Sequence, residues 1–141
     1  MPFEYFDHEA DVGVIGTGKT LEGAFEEGAK GVLELMADVE GIDVDTEMDF
    51  ECRSVDLEAL FVDMINDLLS WRDIEGVFMA SVDVWVIEEV EDGWRLGGTS
   101  YSGKMNREKG EFRSEVKAAT HCGFVLEKGD GEYKIGCVVD V

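Results

Sequence analysis

Gly13-Val14-Ile15-Gly16-Thr17-Gly18-Lys19-Thr20 fits the spacing G-x-x-x-x-G-K-[ST], and its reading decides the architecture of the whole chain. As a phosphate-binding loop it would open a doubly wound α/β fold and make the protein a nucleotide hydrolase. Two features oppose that. The approach to Gly13 carries His8, Glu9 and Asp11 where a buried parallel strand is continuously apolar, and Val14-Ile15 would place branched apolar side chains inside the phosphate cradle. The remainder of the chain also lacks the alternating strand and helix rhythm of such a fold. The preferred reading is a glycine-containing β-turn followed by a helix that Thr20 caps, with the hydrolase kept as the alternative.

Working outward, Leu21, Phe25, Gly28, Ala29, Val32, Leu33 and Met36 recur at three- and four-residue spacing and predict an amphipathic helix. Leu57, Leu60, Phe61, Met64, Ile65, Leu68 and Leu69 predict a second, with Ser54 or Asp56 as its cap. The rest reads as strand. Phe3 to Phe6 and Asp11 to Ile15 form short strands interrupted by Asp7-His8-Glu9, and Glu47 to Cys52 alternates. Val77 to Met79 and Val82 to Val90 turn at Glu91-Asp92-Gly93 into a hairpin that returns from Trp94. Residues 104–110 read as a polar loop and 116–126 as a strand; Gly129-Asp130-Gly131 then turns the chain into a final strand that runs to Val141. The expected fold is a single α+β domain over residues 1–141, with two amphipathic helices packed on a largely antiparallel or mixed β-sheet with hairpin extensions.

Composition narrows the function. Thirty-three acidic residues against 12 basic ones give a net charge of −21, which repels phosphate backbones and argues against autonomous nucleic-acid binding. Five basic residues, Lys104, Arg107, Lys109, Arg113 and Lys117, nevertheless fall in one short stretch, a solvated loop or a contact for phosphate or an acidic partner. With no run of about 18 apolar residues and no basic-apolar leader, a cytoplasmic protein without a membrane partner is expected. Cys52, Cys122 and Cys137 have neither Cys-x-x-Cys spacing nor an even count, so reduced, mostly buried thiols are expected. Trp71, Trp85 and Trp94 read as core or half-buried strand residues. His121 and Cys122, as strand neighbours, would point to opposite faces and could not readily share a metal, and a Cys122–His8 nucleophilic pair lacks the glycine context of an elbow.

The strongest site signal joins the two ends of the chain. If the strand starting at Asp11 runs beside the strand ending at Asp140, then Asp11, Asp140 and the carboxylate of Val141 converge, and three like charges share a small volume only with a cation or a proton among them. All-oxygen donors favour calcium, magnesium or manganese over zinc.

Taken together, Phe6-Asp7-His8-Glu9-Ala10-Asp11-Val12-Gly13, Gly18-Lys19-Thr20-Leu21-Glu22, Asp56-Leu57-Glu58, Glu115-Val116-Lys117-Ala118-Ala119-Thr120 and Val138-Val139-Asp140-Val141 resemble the archease family along the whole chain. The resemblance implies a non-catalytic activator of the RtcB-type tRNA-splicing RNA ligase, which promotes ligase guanylylation and multiple turnover and meets tRNA only through the ligase. It further implies a divalent metal, most often calcium, on Asp11, Asp140 and Val141, and a role in activation for Lys117. Where many members carry Thr-Tyr-His, this chain has Thr120-His121-Cys122, so no histidine role carries over to Cys122. A general chaperone-like binding module, using the acidic surface and exposed hairpin edges, is the remaining alternative.

Overall fold

The computed structural model describes residues 2–8 and 11–141; Glu9, within the polar interruption read above, lies outside them, as do Met1 and Ala10. Eight strands and two helices follow in the order β1 (Phe3–His8), β2 (Asp11–Gly18), α1 (Leu21–Met36), β3 (Ile42–Ser54), α2 (Leu57–Glu75), β4 (Phe78–Val90), β5 (Gly93–Met105), β6 (Ala118–Ala119), β7 (Val125–Gly129) and β8 (Glu132–Asp140). The α+β reading is borne out, with the strands divided between two antiparallel sheets. One has the order β1-β2-β8-β6 with β7 also on β8, and the other is β3-β5-β4.

Both helices form where the apolar spacing places them. The Thr20 hydroxyl accepts from Gly23 N at 3.0 Å to start α1, and the Asp56 carboxylate accepts from Ala59 N at 2.8 Å to start α2, satisfying amides that have no partner within a helix. Gly76, in the left-handed conformation, ends α2. Phe25 of α1 and Phe61 of α2 are both fully buried and meet edge to face, with ring centroids 5.2 Å apart. The helices tie the sheets together: α1 packs on β1, β2 and β8 and also on β4, while α2 packs on β3, β4, β5, β6 and β8. Among the described residues, no helix is long and apolar enough to cross a membrane.

The opening octapeptide is not a turn. Residues 13–18 lie in the extended strand β2, and the bare positions Gly13, Gly16 and Gly18 make room for neighbours. A Cβ on Gly16 would sit 2.2 Å from Gly28 N and 2.3 Å from Ala24 O, so α1 can lie against β2 only because this position is bare. Gly28 in turn makes way for the Phe61 ring, 2.7 Å from where its Cβ would be. With Gly16 and Gly18 pressed under α1, Gly13 covered by the Phe6 ring and the Thr20 hydroxyl occupied by the cap, the segment forms no phosphate cradle. The strand expected over residues 116–126 is likewise corrected: after Ala118–Ala119, residues 120–124 bulge out of the regular ladder, keeping two backbone bonds to Val138 of β8 through Thr120 N and Cys122 O, before β7 begins at Val125. His121 and Cys122 sit on this excursion, so the opposite-face argument does not apply to them. Two thiols are buried, with Cys137 pushed up to about 12 by desolvation and Cys52 pushed up by burial and by Asp67; Cys122 is exposed. Trp71 packs its ring against Phe50 and Trp94 borders the core, whereas Trp85 is 54% exposed, contrary to expectation, and its indole N–H donates to Thr99.

The two edges of the second sheet are closed in different ways. On β3, residues Asp43, Asp45, Glu47 and Asp49 crowd the exposed stretch with negative charge. On β4, where the register shifts, carboxylates from α1 take the free amides: Val84 N donates to Glu26 at 2.7 Å and Ile87 N to Glu22 at 3.1 Å. Desolvation, with nearby Asp83, Glu27 and Glu22, raises the Glu26 carboxyl above its usual value of 4.5, against the lowering effect of the Val84 amide. A folded-state value above the unfolded one means the native state binds its proton more readily. Stability from this group therefore falls as pH rises through that window, and the cost is fully present at neutral pH. Glu26→Gln keeps an acceptor for Val84 and removes the charge, so its thermal midpoint is expected above wild type at pH 7, with the advantage shrinking toward pH 4. A control at exposed Glu91→Gln separates this from relief of net charge; equal gains from both changes would contradict the local account.

Candidate metal and activation site at the end of the first sheet

The register of the first sheet brings four positions into one row. His8 pairs with Asp11 between β1 and β2, Val12 pairs with Val139 between β2 and β8, and Ala118 pairs with Asp140 between β6 and β8. Carrying the β2–β8 register one residue further sets Asp11 opposite Asp140. Directly opposed residues share a face and place their Cβ atoms about 5 Å apart, so His8, Asp11, Asp140 and Ala118 run side by side across the sheet. Val14, at even spacing from Val12, is fully buried against α1, which assigns Asp11 and the row to the opposite face. Val141, 38% exposed, follows Asp140 directly. Asp11 and Asp140 are both half-buried, at the start of one strand and the end of its neighbour.

The predicted metal residues are thus adjacent in the fold. Among the described residues, no three His, Cys, Asp or Glu side chains converge as a metal cluster; the row offers two aspartates, and the third donor expected from the sequence is the main-chain carboxylate of Val141, the residue after Asp140. That donor set, hard oxygens from three separate carboxylates, fits calcium, magnesium or manganese.

His8 joins the row unannounced. Its Nδ1 is buried without a hydrogen-bond partner among the described residues, an exception to the pairing of buried polar atoms. The spacing of His8 and Asp11 around two intervening residues was the signal that could have placed them opposite each other.

Lys117 reaches the same corner through its backbone, and α2 holds it there. Lys117 N donates to Asp140 O at 2.8 Å. On one side of it, Arg72 Nη1 donates to Val116 O at 3.3 Å. On the other, Asn66 grips Ala119 with both ends of its amide: Ala119 N donates to Oδ1 at 2.8 Å and Nδ2 donates to Ala119 O at 3.2 Å. Asn66 thereby acts as the missing neighbouring strand of β6. Neither residue stood out in the sequence, because a polar residue on an amphipathic helix reads as solvent-facing.

The remaining candidates separate from this corner. Lys109 pairs with Asp43 at 3.2 Å, and Arg113 with Glu34 at 3.3 Å and with Asp38. The five-residue basic stretch is therefore divided between surface ion pairs and cations that have none among the described residues. His121 Nδ1 lies 3.9 Å from Glu58 at the start of α2, and exposed Cys122 is held by its backbone, its carbonyl accepting from Val138 N at 3.1 Å.

The arrangement has relatives. The Archease protein family model matches residues 3–141. The protein named archease in Sulfolobus acidocaldarius is 38% identical, covering 99% of this chain and 98% of its own. That of Thermococcus kodakarensis is 36% identical over 99% of this chain and 98% of its own. The solution structure of protein 1598 from Methanobacterium thermoautotrophicum matches with a TM-score of 0.81 and 31% identity over 99% of both chains. A crystal structure from Thermotoga maritima, described as an archease and possible chaperone, shares the fold with a TM-score of 0.56 and 24% identity over 96% of this chain and 94% of that one.

Proposed function

Since this chain belongs to the archease family, we propose that it is an accessory activator of an RtcB-type RNA-splicing ligase, acting through a divalent cation held by Asp11, Asp140 and the Val141 carboxylate beside Lys117. The observation that supports this most is the β2–β8 register, which pairs Val12 with Val139 and, carried one residue further, sets Asp11 opposite Asp140 at the end of the sheet.

Two aspartates and a main-chain carboxylate at one corner repel one another, and a cation removes that cost. When bound, the cation supplies positive charge to phosphate oxygens during guanylate transfer to the ligase. Asp11 and Asp140, on hydrogen-bonded neighbouring strands, keep the donors at fixed separation. Lys117, tied to Asp140 through its amide, adds an ammonium for a phosphate or carboxylate of the partner. The protein makes and breaks no bond itself. With a net charge of −21 it meets tRNA only through the ligase.

The test is guanylylation and multiple-turnover RNA joining by the cognate ligase with Asp11→Asn and Asp140→Asn. Each substitution keeps the shape and removes one negative donor, and at least about a tenfold fall in stimulation is expected, in line with affinity set by ligand charge count. Full stimulation by both variants would overturn the proposal. A general chaperone role by strand addition finds less support in the second sheet, both edges of which are closed by charge or by α1 carboxylates, and is confined to the edges of the first, β1 among them.

A further inference from the structure

A second binding feature lies beyond the C-terminal end of α2. Gly76, Phe78, Lys104, Met105, Arg107, Gly110, Glu111 and Phe112 line a depression of about 520 Å³. Among the described residues, five of the 12 basic residues have an ion pair: Arg53, Arg72, Arg95, Lys109 and Arg113. Lys104 and Arg107 face this depression with no ion pair among the described residues, while Lys109 and Arg113 nearby are both paired.

Beside the cations stands an apolar wall. Phe112 is 56% exposed, and its ring meets that of Phe78 at an angle of 63° with centroids 6.4 Å apart. The wall is fixed in place: Phe112 bridges Ala37 in antiparallel fashion and Arg113 N donates to Met36 O at 2.8 Å. The loop carrying Arg107 is ordered as well. Lys109 N and Gly110 N donate to Asn106 O at 2.9 and 3.1 Å, Glu108 N donates to Asn106 Oδ1 at 3.0 Å, and Asn106 N donates to Gly41 O at 2.8 Å. A rigid exposed aromatic beside two cations that outnumber the one carboxylate of the lining, Glu111, is the chemistry of an interface anchor.

We propose that this depression is a docking site for a partner-protein segment bearing one or two carboxylates beside an aromatic or long aliphatic side chain. The partner is the ligase, so the inference rests on the function proposed above and names a surface for it separate from the carboxylate row. Charge selects this occupant. A polyanion such as RNA feels the repulsion of the whole chain, whereas a short acidic segment inside the depression meets a lining with an excess of one positive charge, Lys104 and Arg107 against Glu111, because screening confines the field to about 8 Å at physiological salt. Distance also fits. Gly76 at the depression and Asn66, which holds the backbone of Ala119 in β6, are ten residues apart along α2, about 15 Å, and a standard interface covers about 800 Å² per partner, a patch roughly 30 Å across.

The test compares three forms against the purified cognate ligase at 0.15 M salt: a Lys104→Glu/Arg107→Glu double variant, Phe112→Ser, and Asp140→Asn. Binding and maximal stimulation are measured separately, with unchanged circular dichroism and thermal midpoint as the check on folding. The first two forms are expected to raise Kd at least about tenfold and to recover full stimulation at saturating concentration. Asp140→Asn is expected to lower the maximum with little change in Kd. Unchanged Kd in the double variant, whose side chains are exposed and leave the core alone, would overturn the docking site while the proposed function stands. A loss that appears as RNA binding or self-association instead of ligase binding would also overturn it. If the wild-type protein neither binds nor stimulates the ligase, both proposals fall together.

Discussion

Adding a few polar residues after Val141 is expected to lower divalent-cation affinity at least about tenfold and to remove most of the stimulation of the ligase, whereas the same addition before Met1 leaves both unchanged. The reasoning is one of donor count. Among the described residues the row has two carboxylate side chains and no third acidic side chain close by. With an extension, the carboxylate of Val141 becomes a neutral amide, and the negative charge moves several residues away. Affinity at oxygen sites is set chiefly by the number of charged donors and the rigidity with which they are held. Stability should barely change, because β8 ends at Asp140 and Val141 lies outside the ladder. Calorimetric titration with calcium and manganese checks the first part, and guanylylation of the ligase the second. Equal performance by the two extended proteins would remove the main-chain carboxylate from the site.

The second large effect is at Asn66. An aspartate there is nearly isosteric and can still accept from Ala119 N, but it can no longer donate to Ala119 O. It also adds a negative charge behind a strand that ends against Asp140. The expected cost is about 1–3 kcal/mol, the price range for a part-buried acceptor left unpaired. The local consequence should exceed the global one. Amide exchange at Lys117 and Ala119 is expected to speed up, and stimulation to fall at least about tenfold at temperatures where the variant is still folded. That combination distinguishes a clamp that places Lys117 from a contact that only adds stability. Faster exchange with undiminished stimulation would show that Lys117 does not need α2 to hold it; Lys117→Ala, measured in parallel, shows whether Lys117 matters at all.

What could be read in advance follows from how local each determinant is. The helices were legible because Leu21 to Met36 and Leu57 to Leu69 repeat with the helical period, and both caps are single residues one step before the repeat. The β2 segment misled because glycines mark turns when only local conformation is considered. Gly16 and Gly28 are bare for a tertiary reason, the close approach of α1, which leaves no trace in the neighbouring residues. The division into two sheets was hidden for a similar cause. Asp43 to Asp49 of β3 are exposed on both faces, so although the sequence alternates there, the pattern does not tell which sheet β3 joins or where it leaves the core. The excursion at 120–124 has enough apolar and β-branched neighbours to pass for strand.

The site divides along the same line. Asp11 and Asp140 sit at strand ends, where the chain's own punctuation shows them, and their meeting needs only that two strands be neighbours. His8 needed the β1–β2 register. Asn66 and Arg72 needed the packing of α2 on residues 116–119, which no spacing encodes. The basic stretch was visible, but its partition among Asp43, Glu34, Asp38, the depression and the row depends on how the chain folds back on α1 and β3.

A chain with 33 acidic residues will attract divalent ions diffusely, so affinity alone does not locate a site. The most direct measurement is paramagnetic broadening of amide resonances by substoichiometric manganese. Broadening should appear first at His8, Asp11, Ala118, Asp140 and Val141, and should be lost in Asp11→Asn and Asp140→Asn. Broadening that begins instead along Asp43 to Asp49 of β3, or that spreads evenly over the acidic surface and survives both substitutions, would contradict a cation site at the end of the first sheet.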